Sequence, residues 1–340
     1  MSNAETPAPR ATQTALVTGA SSGLGFEAAA QLAEDGYGRV ILACRSLVKA
    51  ENARTALVER VGSDPFETLA IDVADMASSA AAAAELIERG EPIHALLLNA
   101  GMVPGNTMTK SVDGLEMAFA ASIIGHHVLT LGLLEAGLLD GARIVIAGSE
   151  AANNDLPAMM GMKLYDFAVG QPTELGDDLH AAMLNFARGS RPGVFVGTRY
   201  YATTKAFTAW WTAALARRFG DRVLVFTVSP GSSMSTNAAR NTTGLQRFLF
   251  TKVMPLLGPA LGMDQPVSKG ARRYLDVLNE VGSYTNGRTY TSAPKKLVGP
   301  LHEVACSHLL DLEHQEMAWT VLGELSGAGV GSVGQGMPNK

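Results

Sequence analysis

Thr14-Ala15-Leu16-Val17-Thr18-Gly19-Ala20-Ser21-Ser22-Gly23-Leu24-Gly25 is the stretch that decides the fold. Residues 15–18 make an apolar run of strand length, and from 23 to 34 the pattern becomes helical. A strand therefore enters a helix through a turn built on glycines, which accept left-handed backbone angles and let another group come close.

The same rhythm continues along the chain. Strand-like runs at 40–43, 68–71, 93–98, 143–147 and 222–228 are interspersed with helical patterns at 46–60, 75–89, 112–135, 199–219 and 267–278. Such alternation predicts βαβ units, and the strands are continuous apolar runs because helices must cover both faces of the sheet. The expected fold class is α/β: a Rossmann-like, doubly wound parallel sheet in three α/β/α layers. One domain is expected over 14–327, between a disordered tail at 1–13 and a flexible Gly-rich tail at 328–340. Residues 150–198 interrupt the rhythm with Asn153, Asn154, Pro157, Gly161, Gly170, Pro172, Pro192 and Gly193, and read as an insertion with short helices.

Composition narrows the function. The 340 residues are 47% hydrophobic and carry a net charge of -5 with both signs interspersed, so no basic field is present to attract nucleic acid. Cys44 and Cys306 lie far apart with no ligand spacing around them, and neither a disulfide framework nor a metal site is expected. No apolar run approaches the ~20 residues of a membrane helix. The polar start of the chain does not read as a signal peptide, and a cytoplasmic location is the expectation.

The loop spacing, Gly19-x-x-x-Gly23-x-Gly25, suits a pyrophosphate seated on the positive N-terminal end of the helix that follows. Further on, Tyr201-Ala202-Thr203-Thr204-Lys205 places a phenol and an ammonium on one helix face. A phenol titrating near ~10 is protonated at neutral pH, and a neighbouring cation stabilises its phenolate, so the pair can exchange a proton with a carbonyl oxygen. Tyr200 competes by proximity, but its fourth successor is the uncharged Thr204. Ser149 stands just beyond the strand at 143–147, on the edge where open α/β sheets bind ligands.

TGASSGLG resembles the cofactor loop of the short-chain dehydrogenase/reductase family, and that family's other motifs follow in order. The resemblance implies a nicotinamide dinucleotide held by Gly19, Ser21, Ser22, Gly23, Leu24 and Gly25. It also implies contacts from Asp72 and Val73, from Asn99-Ala100-Gly101, and from Pro230-Gly231, the turn beside the nicotinamide, with Ser235 beyond. Tyr201, Lys205 and Ser149 match the catalytic residues, Tyr201 and Lys205 also touching the cofactor. Where a similar branch has a relay Asn, this chain has Ser122, which lacks the amide's paired donor and acceptor. The second strand ends Cys44-Arg45-Ser46 with no carboxylate for a ribose 2′-hydroxyl, whereas Arg45 and Ser46 suit a 2′-phosphate, so NADP(H) is expected over NAD(H).

The second-strand end, Gly125-His126, the long insertion and a closing helix with Ala318-Trp319 make the chain most similar to retinol dehydrogenases and light-dependent protochlorophyllide reductases. That similarity implies a bulky apolar small-molecule substrate, with 232–263 as a lid and with 248–257, Met159, Met160 and Met162 as apolar cover, though the 248–257 stretch equally suits a membrane surface or ordinary core packing. The function this implies is an oxidoreductase interconverting a carbonyl and an alcohol by hydride transfer; the alternatives are reduction of a conjugated C=C bond and a non-catalytic NADPH sensor. A homodimer or homotetramer through 112–135 and 199–219 would put Trp210 and Trp211 at an interface. His126 and His127 point about 100° apart on a helix and cannot easily share one ligand.

Overall fold

The computed structural model describes residues 10–105, 107–190, 193–233, 264–279 and 284–327, and of Met159 the backbone alone. β1 (Thr14–Thr18) leads into α1 (Gly23–Glu34), β2 (Arg39–Cys44) into α2 (Leu47–Val61), and β3 (Phe66–Ala70) into α3 (Met76–Arg89). β4 (Ala95–Leu98) is followed by a composite helix α4 (Met117–Glu135) and by β5 (Arg143–Ala147). The insertion contributes α5 (Leu179–Arg188). Then come α6 (Gly197–Phe219), β6 (Leu224–Val228), α7 (Val267–Asn279), β7 (Thr289–Thr291), β8 (His302–Glu303) and α8 (Leu312–Ser326).

The strands form one sheet in the order β3-β2-β1-β4-β5-β6-β7-β8, parallel except for the last pair. Chain direction across the sheet reverses between β1 and β4, which opens a crevice at their carboxyl ends. The strands read as unbroken apolar runs because alternate side chains enter two separate cores. Leu16, Leu96, Leu98, Ile144 and Ile146 pack on the side of α3, α4, α6 and α8. Ala15, Val17, Ala95, Leu97, Val145 and Ala147 pack on the side of α1, α2 and α7.

Several expectations change. α4 starts at Met117 and not at 112, because Gly114 turns the chain with φ +77 and the Glu116 carboxylate caps the helix by accepting from the Phe119 N–H. That 19-residue helix is long and apolar enough to cross a membrane by composition, contrary to the sequence reading; most of it is buried here against the sheet, which explains its apolarity. β7 and β8 have three and two residues, too few to show a period. Of the expected tail at 1–13, residues 10–13 are ordered: Arg10 to Thr12 form a helical turn, and the Arg10 carbonyl accepts from the Gln13 and Gly38 N–H groups. Residues 1–9, Ser235, the lid segment 234–263 and the tail 328–340 lie outside the described residues.

Trp210 and Trp211 are also corrected. Both are buried within the chain, at 2% and 0% exposure, so neither is available as an exposed interface residue. The Trp210 Nε1–H donates to the His308 carbonyl (2.7 Å), and α8 packs along α6 and brings Trp319 onto His127. The C-terminal helix therefore covers this part of α6.

Candidate active site

The glycine loop closes on the crevice through contacts that leave no room for a side chain. Gly19 and Gly23 have φ of +69 and +59. A Cβ on Gly25 would lie 2.4 Å from the Gly19 carbonyl oxygen and 2.6 Å from Asn99 Nδ2. Ser22 begins α1 with extended backbone and no side-chain cap, so its hydroxyl does not take up the first helical N–H groups. Such a bare, positive helix end beneath a glycine cradle fits a pyrophosphate.

Thr18 ties this loop to the sheet. Its Oγ1 accepts from the backbone N–H of Asn99 (2.9 Å) and Ala100 (3.0 Å), while Asn99 Nδ2 donates to the Thr18 carbonyl (3.1 Å). The same hydroxyl meets His126 Nε2 at 3.0 Å, and His126 Nδ1 meets the Ser122 carbonyl at 3.1 Å. A carbonyl only accepts, so Nδ1 carries the proton, and Thr18 donates to Nε2. Burial, reinforced by the nearby Lys205 charge, holds His126 at a pKa of about 4, consistent with this neutral tautomer. His127 points elsewhere, between the Trp211 and Trp319 rings.

Ser122 sits in a π turn, Ala120–Ile124, inside α4. Its buried Oγ has no hydrogen-bond partner among the described residues. A Cβ on Gly101 would lie 3.1 Å from that oxygen and 4.0 Å from Lys205 Nζ, so Ser122, Gly101 and Lys205 border one small space.

Ser149, Tyr201 and Lys205 meet at the carboxyl end of β5. The Ser149 hydroxyl beside the Tyr201 phenol favours its phenolate, but burial outweighs this and holds the pKa above the usual tyrosine value. Ser149 Oγ also accepts from the Ala151 N–H (3.2 Å), which orients the hydroxyl. Lys205 Nζ donates to the Ala147 carbonyl (2.7 Å) and lies 5.9 Å from the Tyr201 ring centre. Burial lowers the Lys205 pKa to about 8. The lowering of the phenol expected from Lys205 is not found: burial, with the Glu150 charge adding to it, outweighs the contribution of Ser149. Tyr200 is excluded as its rival: it is fully buried, stacked on Phe186 (4.9 Å) and beside Phe195 (4.7 Å).

The other proposed cofactor positions line the same edge. Arg45 is exposed at the end of β2, and Ser46 starts α2 without a side-chain cap, leaving both groups able to meet an anion. Asp72 folds its own turn, with Oδ1 accepting from the Ala74 N–H (3.1 Å). Gly125 lets α4 close on that turn, since a Cβ there would lie 2.3 Å from the Val73 carbonyl oxygen. Pro230 and Gly231 follow β6, with Gly231 at φ +72.

The insertion is a packed block. Tyr165, Phe167 and Phe186 are buried in one aromatic cluster with Tyr200, and the Tyr165 N–H donates to Thr203 on α6 (3.0 Å). Arg199 stacks on the Tyr165 ring at 3.9 Å and pairs with Glu174 at 3.0 Å. Sequence reasoning missed the roles of Thr18 and His126, and it missed Glu150 and Arg273 altogether. The one signal for Glu150 was a carboxylate placed directly after Ser149.

Comparison with known proteins agrees with this geometry. The sequence model of the short chain dehydrogenase family matches residues 13–161. The chloroplastic protochlorophyllide reductase A of Oryza sativa subsp. japonica is 29% identical over 248 residues, covering 69% of this chain and 61% of that protein. Retinol dehydrogenase 14 of Mus musculus is 31% identical over 243 residues, covering 67% and 63%. The chain belongs to the short-chain dehydrogenase/reductase family. It spans less than two thirds of the length of either of these family members. A short chain dehydrogenase from Burkholderia cenocepacia J2315, solved in complex with NADP, shares the fold with a TM-score of 0.57 at 23% identity, over 83% of this chain and 96% of that one.

Proposed function

We propose that this protein is an NADP(H)-dependent oxidoreductase that interconverts a carbonyl and an alcohol on a bulky, apolar small molecule. The observation that carries the reading is the meeting of Ser149, Tyr201 and Lys205 at the carboxyl end of β5, with Lys205 Nζ 5.9 Å from the Tyr201 ring centre, at the sheet edge beside the glycine cradle. NADP(H), when bound, supplies the hydride donor or acceptor. Gly19, Gly23 and Gly25 with the start of α1 would hold its pyrophosphate, and Arg45 with Ser46 its 2′-phosphate.

In the reducing direction a proton must reach the oxygen of the nascent alkoxide. Tyr201 holds that proton at neutral pH, because burial keeps its pKa above the usual value. Ser149 donates to the same substrate oxygen and orients it. Lys205 places a positive charge 5.9 Å from the Tyr201 ring centre, where it favours the phenolate left after transfer. A second reading, reduction of a conjugated C=C bond, draws on the resemblance to protochlorophyllide reductases and uses the same Tyr201 proton.

The test is NADPH oxidation over a panel of bulky ketones, aldehydes and enones. Turnover is expected on at least one class, and Tyr201→Phe should lower it by about 10²–10⁴-fold while NADPH still binds. Tight NADPH binding without turnover across the panel would replace the enzyme with a sensor.

A further inference from the structure

Directly behind the Ser149 hydroxyl lies a buried ion pair that the chemistry above does not use. Glu150, the next residue, is 5% exposed, and Arg273 on α7 is 6% exposed, with Nη1 3.4 Å from Glu150 Oε1. Burying two charges is costly, and such pairs seldom repay the cost in stability. Here the partners that offset the cost come from the end of β6 and from the segment after β7. Glu150 Oε2 accepts from the Ser229 hydroxyl (2.6 Å), and Oε1 accepts from the Ser292 hydroxyl (2.8 Å) and N–H (3.2 Å). Arg273 donates to the Ser229 carbonyl (3.1 Å), to Ser292 Oγ (2.9 Å) and to the Gly299 carbonyl.

Ser229 transmits this to the turn after β6. Its Oγ, held by Glu150, accepts the Gly231 N–H at 3.1 Å. The guanidinium approaches so closely that a Cβ on Gly231 would lie 2.7 Å from Arg273 Nη1. One carboxylate therefore joins the residue beside Ser149 to the turn at 229–231, and one guanidinium braces the same turn from behind.

We infer that Glu150 and Arg273 are positioning residues that lock the 229–231 turn to the end of β5, fixing the surface offered to the nicotinamide half of the cofactor. This rests on the NADP(H) reading above. The pair does not touch the reacting atoms; it acts through Ser229 and Gly231.

Two measurements test it on Glu150→Gln, Arg273→Met and the double variant, which strands no lone buried charge and so decides the matter if a single variant fails to fold. The first is amide hydrogen exchange of the ligand-free protein: the Gly231 amide should exchange at least about tenfold faster in each variant, with β1 and α1 unchanged. The second compares NADPH with adenosine 2′,5′-bisphosphate, which lacks the nicotinamide. NADPH should bind about tenfold more weakly and the fragment within about twofold of wild type. Unchanged Gly231 exchange, or equal weakening of both ligands, would overturn the inference. A wild-type chain that binds neither ligand would instead sink the NADP(H) reading, and the exchange measurement would still decide the role of the pair.

Discussion

The two ends of the cleft are held by unlike means. At the phosphate end, around Gly19, Gly25, Thr18 and His126, the structure depends on missing side chains and on neutral hydrogen bonds. At the chemical end, around Ser149, Lys205, Glu150 and Arg273, it depends on charges buried beneath the sheet edge. A neutral scaffold can come close to an anion without competing for its charge. Buried charges, by contrast, need many partners to stay ionised, and those partners tie several segments into one piece.

The hardest break is at the phosphate end. Gly25→Val places a branched side chain where a Cβ alone lies 2.4 Å from the Gly19 oxygen, and NADPH affinity should fall by about a thousandfold in a fluorescence titration. Retained affinity would show that the loop relaxes freely.

Acid attacks the same end by another route. His126 must be neutral to accept from Thr18, with a pKa of about 4 against the ordinary histidine value of 6.5. The unfolded chain takes up that proton first, so stability should be full above pH 6.5 and be lost as pH falls toward 4, by up to about 3 kcal/mol from this group. His127, held at about 3 by burial, adds to the slope in the same window. Urea unfolding at several pH values should show a shallower acid limb for His126→Gln. An identical limb would assign the titration to other groups.

At the chemical end the window moves upward. Lys205 titrates at about 8 in the folded chain against 10.5, so between those values the unfolded state holds more protons and stability rises with pH. The stability of wild type relative to Lys205→Met should therefore grow by about 2 kcal/mol from pH 8 to 10.5. A flat difference would mean that the ammonium stays charged throughout.

The mildest effect belongs to the exposed rim. Arg45→Asp should weaken NADPH about tenfold and leave NADH no worse, because an exposed cation meets its phosphate partly screened by solvent. An unchanged preference would remove Arg45 from the cofactor assignment.

Legibility followed these same differences. Gly19, Gly23 and Gly25 could be read directly, since a left-handed turn or a close approach demands glycine wherever it occurs. Tyr201 and Lys205 could be read because four residues of helix put them on one face. Glu150 and Arg273 are 123 positions apart, and no local rule pairs them. The Thr18–His126 bond spans 108 positions and was equally hidden. Trp210 and Trp211 looked like interface residues because nothing local reveals that α8 returns to cover them.

By itself, the sequence determined the order of strands and helices as far as β6, the glycine cradle and the spacing of the Tyr–Lys pair, all of which follow from backbone sterics and from periods of two and 3.6 residues. Only the tertiary structure decided which histidine faces the glycine loop, what binds the carboxylate beside Ser149, and that Ser122 lies within a π turn next to Lys205. Those features depend on which distant segments share a buried space, and burial sets the protonation of the groups found there.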